Sequence, residues 1–314
     1  MNGVINIYKE KGYTSFHVVA VLRHFTGEKK IGHTGTLDPD AAGVLPVCIG
    51  KATKLVGQLT DTDKTYKAEM LLGRKTDTQD ISGKILEEMN PEEVKAKISE
   101  KDIYGAFGRL TGEIEQVPPM YSAVKVGGVK LVDAARKGKV IERQTRKATV
   151  YGYSDIKIDM ENLLVCFSVD CSKGTYIRTI CEDIGGMLGI PACLKSLERT
   201  RAAGVGIEET ITLKQAEEFA GNGTLAEHII PTDRFLLDFP YVVVGNEAVK
   251  RLVFGNYMYS EDMTGEIPNA EIPGERGSLF KEGIFRIYDL NGNFYALYRY
   301  DAVDACYKCE KMFS

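Results

Sequence analysis

Two alternating runs, KATVYGYSDIKI at 147–158 and LLVCFSVDC at 163–171, are separated only by the turn-forming residues DMEN, and this pairing limits the fold more than any other feature of the chain. Polar and apolar residues alternate in both, as in strands with one buried face, and so short a link joins neighbours that run antiparallel. Further strands are expected at VINIY (4–8), VLPVCI (44–49) and TYKAEMLL (65–72). Thr14 and Ser15 can cap a helix that places Val18, Val19, Leu22 and Phe25 on one face, and Asn90 before Pro91 starts a charged, peripheral helix through Ile98. Strands and helices alternate without a regular βαβ repeat, so the expected fold class is α+β: a mixed, largely antiparallel sheet flanked by helices. Beyond the proline-punctuated IIPTDRFLLDFP the tail turns acidic and glycine-rich. There Asn291-Gly292, between the alternating aromatic halves of IFRIYDLNGNFYALYRY (284–300), predicts a hairpin in a separate small C-terminal β domain.

Composition narrows the class. A content of 44% hydrophobic and 27% charged residues suits a folded protein. No run approaches the 18 apolar residues of a membrane span, and MNGVINIYKEKG has no basic stretch followed by an apolar one, so the expectation is a cytoplasmic protein. The seven cysteines form no spaced framework, and the single CxxC of Cys306 and Cys309 has no second ligand pair, which argues against a metal site. A net charge of −4 speaks against a nucleic-acid partner, yet the charge is segregated: residues 121–150 carry eight Lys or Arg against two acids, and 251–314 carry seven against ten. With Pro118-Pro119 before it and Gly127-Gly128 within it, the basic segment reads either as a solvated face or as an extended loop able to close over a polyanion.

The stretch GHTGTLDPDAAGVL at 32–45 holds the sharpest question. Asp38 followed by Pro39 is a natural helix start, with Asp as N-cap and Pro at N1. Gly32, Gly35 and Gly43 are more than a helix start requires, because they permit turns and close backbone approach suited to a ligand loop. No glycine-rich phosphate loop, dinucleotide fingerprint or zinc set accompanies it.

The segment GHTGTLDPDAAGVLPVCIGKATKL resembles the TruB-type tRNA pseudouridine synthases, and the resemblance continues in order through KTYKAEMLLGRKTDTQDISGKI (64–85), QVPPMYSAVKVGGVKLVDAARKG (116–138), CSKGTYIRTICEDIG (171–185) and LKSLERTRAAGVG (194–206). It covers residues 3–235, while the tail is similar to the family's PUA-like RNA-binding domain only in pattern. It implies a catalytic domain at 1–238 with a mobile thumb loop at 113–145, and a small RNA-binding domain at 239–314. The implied activity is isomerisation of a tRNA T-loop uridine, at position 55, by a monomer that needs no cofactor. Two alternatives stand beside it: the same chemistry on a ribosomal or guide-directed RNA, and a non-catalytic RNA-binding or folding module.

Carried over residue by residue, the resemblance makes Asp38 the catalytic aspartate, attacking C1′ of the ribose or assisting elimination. Arg178 is its ionic partner, although helical periodicity alone, with Ile177, Cys181, Ile184 and Leu188 facing the core, reads Arg178 as solvated. Tyr66 stacks on the target base, Leu197 lines the base pocket, and Tyr176 joins the substrate-binding set. His33 braces the space left by the extruded nucleotide, and Lys64 orients carboxylates or phosphate. Arg143, Arg146 and Lys147 of the basic segment are the expected RNA contacts. Two residues depart from the pattern: Glu10 stands where a proline follows Lys9, and Val132 replaces an aromatic.

Overall fold

Alternation becomes pairing in the computed structural model, which describes residues 1–264, 271–277 and 283–314. Eight strands form the spine of a ten-stranded sheet: β1 (Gly3–Lys9), β2 (Ala42–Ile49), β3 (Lys64–Leu72), β4 (Gly112–Gln116), β5 (Arg146–Asp159), β6 (Leu164–Cys171), β7 (Ala192–Ala202) and β8 (Ile211–Thr212). Their spatial order is β8-β1-β2-β7-β3-β6-β5-β4. All neighbours along it are antiparallel except β8 with β1 and β2 with β7, so the sheet is mixed and largely antiparallel as expected. β5 and β6 pair across DMEN, with Asp159 opposite Leu164.

The β2–β7 contact is the weak seam. Among the described residues its ladder has two registers, Glu198 opposite Ala42 and Arg199 opposite Gly43. Each half of the sheet has its own helices. Helix α1 (Ser15–Thr26) is capped by Thr14, whose hydroxyl accepts from His17 N, and ends at Gly27 in the left-handed region. It lays Val18, Val19 and Leu22 on Ile5, Ile7, Leu45 and Val47. On the other half, the helices Glu100–Arg109 and α2 (Ile177–Leu188) bury Phe107, Ile180 and Ile184 against Met70, Phe167 and Val169. Gly185 permits the close approach of α2, since a Cβ there would stand 2.7 Å from that of Ala192.

The second sheet joins the strands Tyr241–Val243, Ile284–Tyr288, Phe294–Asp301 and Cys306–Met312. Its hairpin forms where Asn291-Gly292 predicts one, but through a wider loop: the Asp289 carboxylate accepts from Asn291 N and Asn293 N, both at 2.9 Å. The sheet is less separate than the sequence suggests. Leu297 and Phe313 share a core with Val4, Cys48, Leu55 and Leu236, and Lys54 Nζ donates to Met312 O at 2.7 Å. Among the described residues no helix is long and apolar enough to cross a membrane.

Candidate active site

The seam carries the site. Residues 34–41 enter β2 over it, and their shape is imposed from beneath. Lys9, fully buried at the end of β1, donates to Tyr13 O (2.7 Å), Glu10 O (3.2 Å) and Pro39 O (3.3 Å). Burial pushes its ammonium down to about 8. Gly12 N also donates to Pro39 O (2.8 Å), and Leu37 N donates to the Ser15 hydroxyl (2.9 Å). The turn preceding α1 forms without proline, Tyr13 N donating to Glu10 O.

Asp38 therefore caps no helix, contrary to its local signal. Ala41 N donates to Asp38 O in a single turn, and the chain enters β2 at Ala42. Gly43, at φ +106°, lies so close to β7 that a Cβ would meet Arg199 O at 2.2 Å. We predict that Lys9→Ala, by leaving Tyr13 O without a donor and removing one donor each from Glu10 O and Pro39 O, costs about 1–2 kcal/mol and slows turnover by loosening the Asp38 turn; unfolding and single-turnover rates check it, and an unchanged rate contradicts it.

Asp38 and Arg178 meet at 3.0 Å. The carboxylate is 42% exposed while the guanidinium is 5% exposed, so the arginine is the fixed partner. Arg178 is not solvated: it donates to Tyr121 O (2.9 Å) and Thr78 O (3.1 Å), and Asp80 lies 3.7 Å away. It ties three loops together. Surrounding protein pushes the Asp38 carboxyl above its ordinary range; Arg178 pulls it back and Asp80 pushes it up again.

One cavity of about 470 Å³ opens beside the pair, with Tyr66, Tyr176, Leu197 and Arg199 in its wall. Burial raises the Tyr66 phenol, against the pull of Arg199, and raises the Tyr176 phenol likewise. Lys64 lines the same cavity and, among the described residues, forms no ion pair with a carboxylate. Its ammonium, pushed down to about 8 by burial, donates to Thr60 O (2.9 Å) and Thr62 O. His33 stands outside the lining. Its Nδ1 accepts from Gly35 N at 3.3 Å, which leaves Nε2 to carry the proton, and burial together with Arg199 lowers its pKa.

The basic segment is folded. Residues 113–116 belong to β4, so the loop proper starts after Gln116. It contains a small hairpin, Lys125–Val126 with Val129–Lys130, and a helical turn at Leu131–Ala135. Arg143 donates to Pro118 O (3.1 Å), closing the loop's base. Lys147 pairs with Glu113 at 2.8 Å in an exposed bridge of little strength. Arg146 is exposed and lines the cavity.

Sequence reasoning missed Asp80 and Arg199. Asp80 Oδ1 accepts from Thr78 Oγ1, Ser82 N and Ser82 Oγ, which aims Oδ2 at Arg178. The signal for Arg199 was available, since it lies two residues from Leu197 on the same face of a strand.

Residues 23–177 match the TruB family pseudouridylate synthase (N terminal domain), and 178–237 match the tRNA pseudouridylate synthase B C-terminal domain. A protein of Lachnoclostridium phytofermentans named tRNA pseudouridine synthase B is 44% identical over 100% of both chains. Its namesake in Limosilactobacillus reuteri is 38% identical over 100% of this chain and 99% of its own. Among solved structures, the fold is similar to a chain in a Cbf5–Nop10–Gar1 complex, with TM-score 0.66 and 27% identity over 99% of this chain and 85% of that one.

Proposed function

The chain belongs to the TruB family of pseudouridylate synthases, and from that premise we propose that it converts a uridine of the tRNA T loop, at position 55, to pseudouridine with Asp38 as the reacting carboxylate. The observation that carries the reading is the 3.0 Å pair of Asp38 and buried Arg178 at the mouth of a cavity walled by Tyr66 and Leu197. An extruded uridine enters this cavity with its base against Tyr66 and Leu197 and C1′ facing Asp38. The N1–C1′ bond breaks through attack on C1′ or elimination across the sugar. The freed uracil turns, C5 joins C1′, and the C5 proton leaves as N1 gains one, so no electrons are exchanged with a cofactor.

The remaining assignments follow from that placement. Tyr176 and Lys64 border the nucleotide, and His33, its pKa lowered by burial and Arg199, braces the space it vacates. The 117–145 loop closes over the T stem, and the second sheet is an accessory RNA-binding domain. The enzyme acts as a cytoplasmic monomer. Full-length relatives named for tRNA favour that substrate over guide-directed RNA, and a binding module gains nothing from a carboxylate facing phosphates.

The loop supplies a test by salt. Exposed Arg146 and weakly paired Lys147 are available to phosphates, whereas Arg143 is engaged within the loop. Changing Arg146 and Lys147 to Ala should weaken T stem-loop binding and reduce the log–log salt slope by about 1 per lost contact, with Arg143→Ala acting mainly on loop order. Titrations at several salt concentrations decide it; an unchanged slope in the double variant contradicts the assignment.

A further inference from the structure

Arg199 is 1% exposed and heads the large side chains buried in this protein. It stands in β7 directly opposite Tyr66 of β3, so both project from the same face into the cavity. Its Nε donates to Val44 O at 2.8 Å and its Nη2 to Gly35 O at 3.1 Å. Those two carbonyls bracket the turn bearing Asp38. One guanidinium thus touches both ends of the segment that presents the carboxylate and faces the ring that receives the base.

Among the described residues its charge has no carboxylate partner, and it depresses the basicity of Lys9, Lys64 and His33 around it. Burying such a charge is costly, and the fold would lose little electrostatically by placing an apolar residue there. Its place opposite Tyr66 adds a second point. Burial raises the Tyr66 phenol and the Arg199 charge pulls it back, as the placement of the two side chains opposite each other on one face requires.

We propose that Arg199 is a positioning residue: it holds the Asp38 turn and the Tyr66 ring at a fixed separation. This rests on the reading of the cavity as a uridine site. A misplacement near 1 Å between reacting groups costs about 100-fold in rate, which sets the scale of the effect.

The test compares wild type, Arg199→Lys, Tyr66→Phe and the double variant on an unmodified T stem-loop, reading single-turnover rate, RNA affinity and amide hydrogen exchange across residues 35–44. Arg199→Lys should lose about 100-fold in rate with affinity within about threefold, and exchange at 35–44 should quicken about tenfold. Added to Tyr66→Phe it should cost clearly less than in wild type, because the part of its effect that acts through the phenol is already gone. Losses that multiply, or a wild-type rate in Arg199→Lys, overturn the proposal. If wild type makes no pseudouridine from any RNA, the functional reading fails, and exchange alone judges the strut: unchanged protection at 35–44 in Arg199→Lys overturns it. If Arg199→Lys does not fold, Arg199→Gln, which keeps a donor for only one of the two carbonyls, takes its place in every readout, and wild-type rate with unchanged protection at 35–44 overturns the proposal.

Discussion

Asp38→Asn will fold, unfold at or above the wild-type temperature, and lose pseudouridine formation by several orders of magnitude. The stability half follows from linkage. The folded-state pKa of Asp38 is raised above its unfolded value, so the stability this group contributes is fully present at low pH and is lost as pH rises through the folded pKa. At neutral pH its ionised form is a net cost, which a neutral amide relieves. Arg178 keeps Thr78 O, Tyr121 O and Asp80 as partners, and the backbone turn that Lys9 and Gly12 hold does not involve the replaced atom. The activity half follows from chemistry, since an amide is neither a nucleophile nor a base of comparable strength. RNA affinity should hold or rise, one negative charge having left a polyanion's path. The same raised pKa predicts that wild-type rate falls with acid along a limb lying above the ordinary carboxylate range. Thermal unfolding and rate–pH profiles check both halves; a variant that melts well below wild type would show that the carboxylate is structural.

Arg178→Met should be the single change at the site most damaging to stability. Methionine matches the stem but removes every donor, leaving the carbonyls of Thr78 and Tyr121 unpaired and two carboxylates, Asp38 and Asp80, without their shared cation. The expected cost is about 3 kcal/mol. The pull that restrains the Asp38 pKa disappears while burial and Asp80 continue to raise it, so less carboxylate is ionised and none is aimed. A rate loss of at least about 1000-fold follows, of which position accounts for most. Arg178→Lys restores charge but cannot span the same acceptors, and should recover stability better than rate. Urea unfolding and single-turnover assays separate the two quantities. Wild-type stability in Arg178→Met would mean that the three loops do not depend on this hub.

Local signals carried the strands, and long-range contacts decided the site. The 147–171 hairpin, the Thr14 cap and the 44–49 strand were legible because alternation and capping act over a few residues. The parallel seam between β2 and β7 has no such signature, for it joins Ala42 to Glu198 through two registers among the described residues. Asp38-Pro39 shows the opposite failure: its local preference for a helix start yields to Lys9, Gly12 and Ser15, all distant enough to escape a window. Arg178 was misread by periodicity because loops around Thr78 and Tyr121 cover the outer side of its helix. Lys64 likewise sits where the alternation of β3 points inward, and its ammonium is satisfied by backbone carbonyls that no sequence pattern announces. Family motifs pointed to Asp38, Tyr66, Arg178 and Leu197, which the fold brings around one cavity, whereas Asp80, Arg199 and the contacts that hold the candidate site were not singled out by them.

The central claim is that the cavity beside Asp38 and Arg178 isomerises a T-loop uridine. Incubating the full chain with an unmodified T stem-loop and mapping the product by carbodiimide modification tests it most directly, because the reaction leaves mass unchanged. Wild type should yield one pseudouridine, at position 55, and Asp38→Asn none over the same time. No pseudouridine with folded wild type, or an equal yield from Asp38→Asn, would contradict the account.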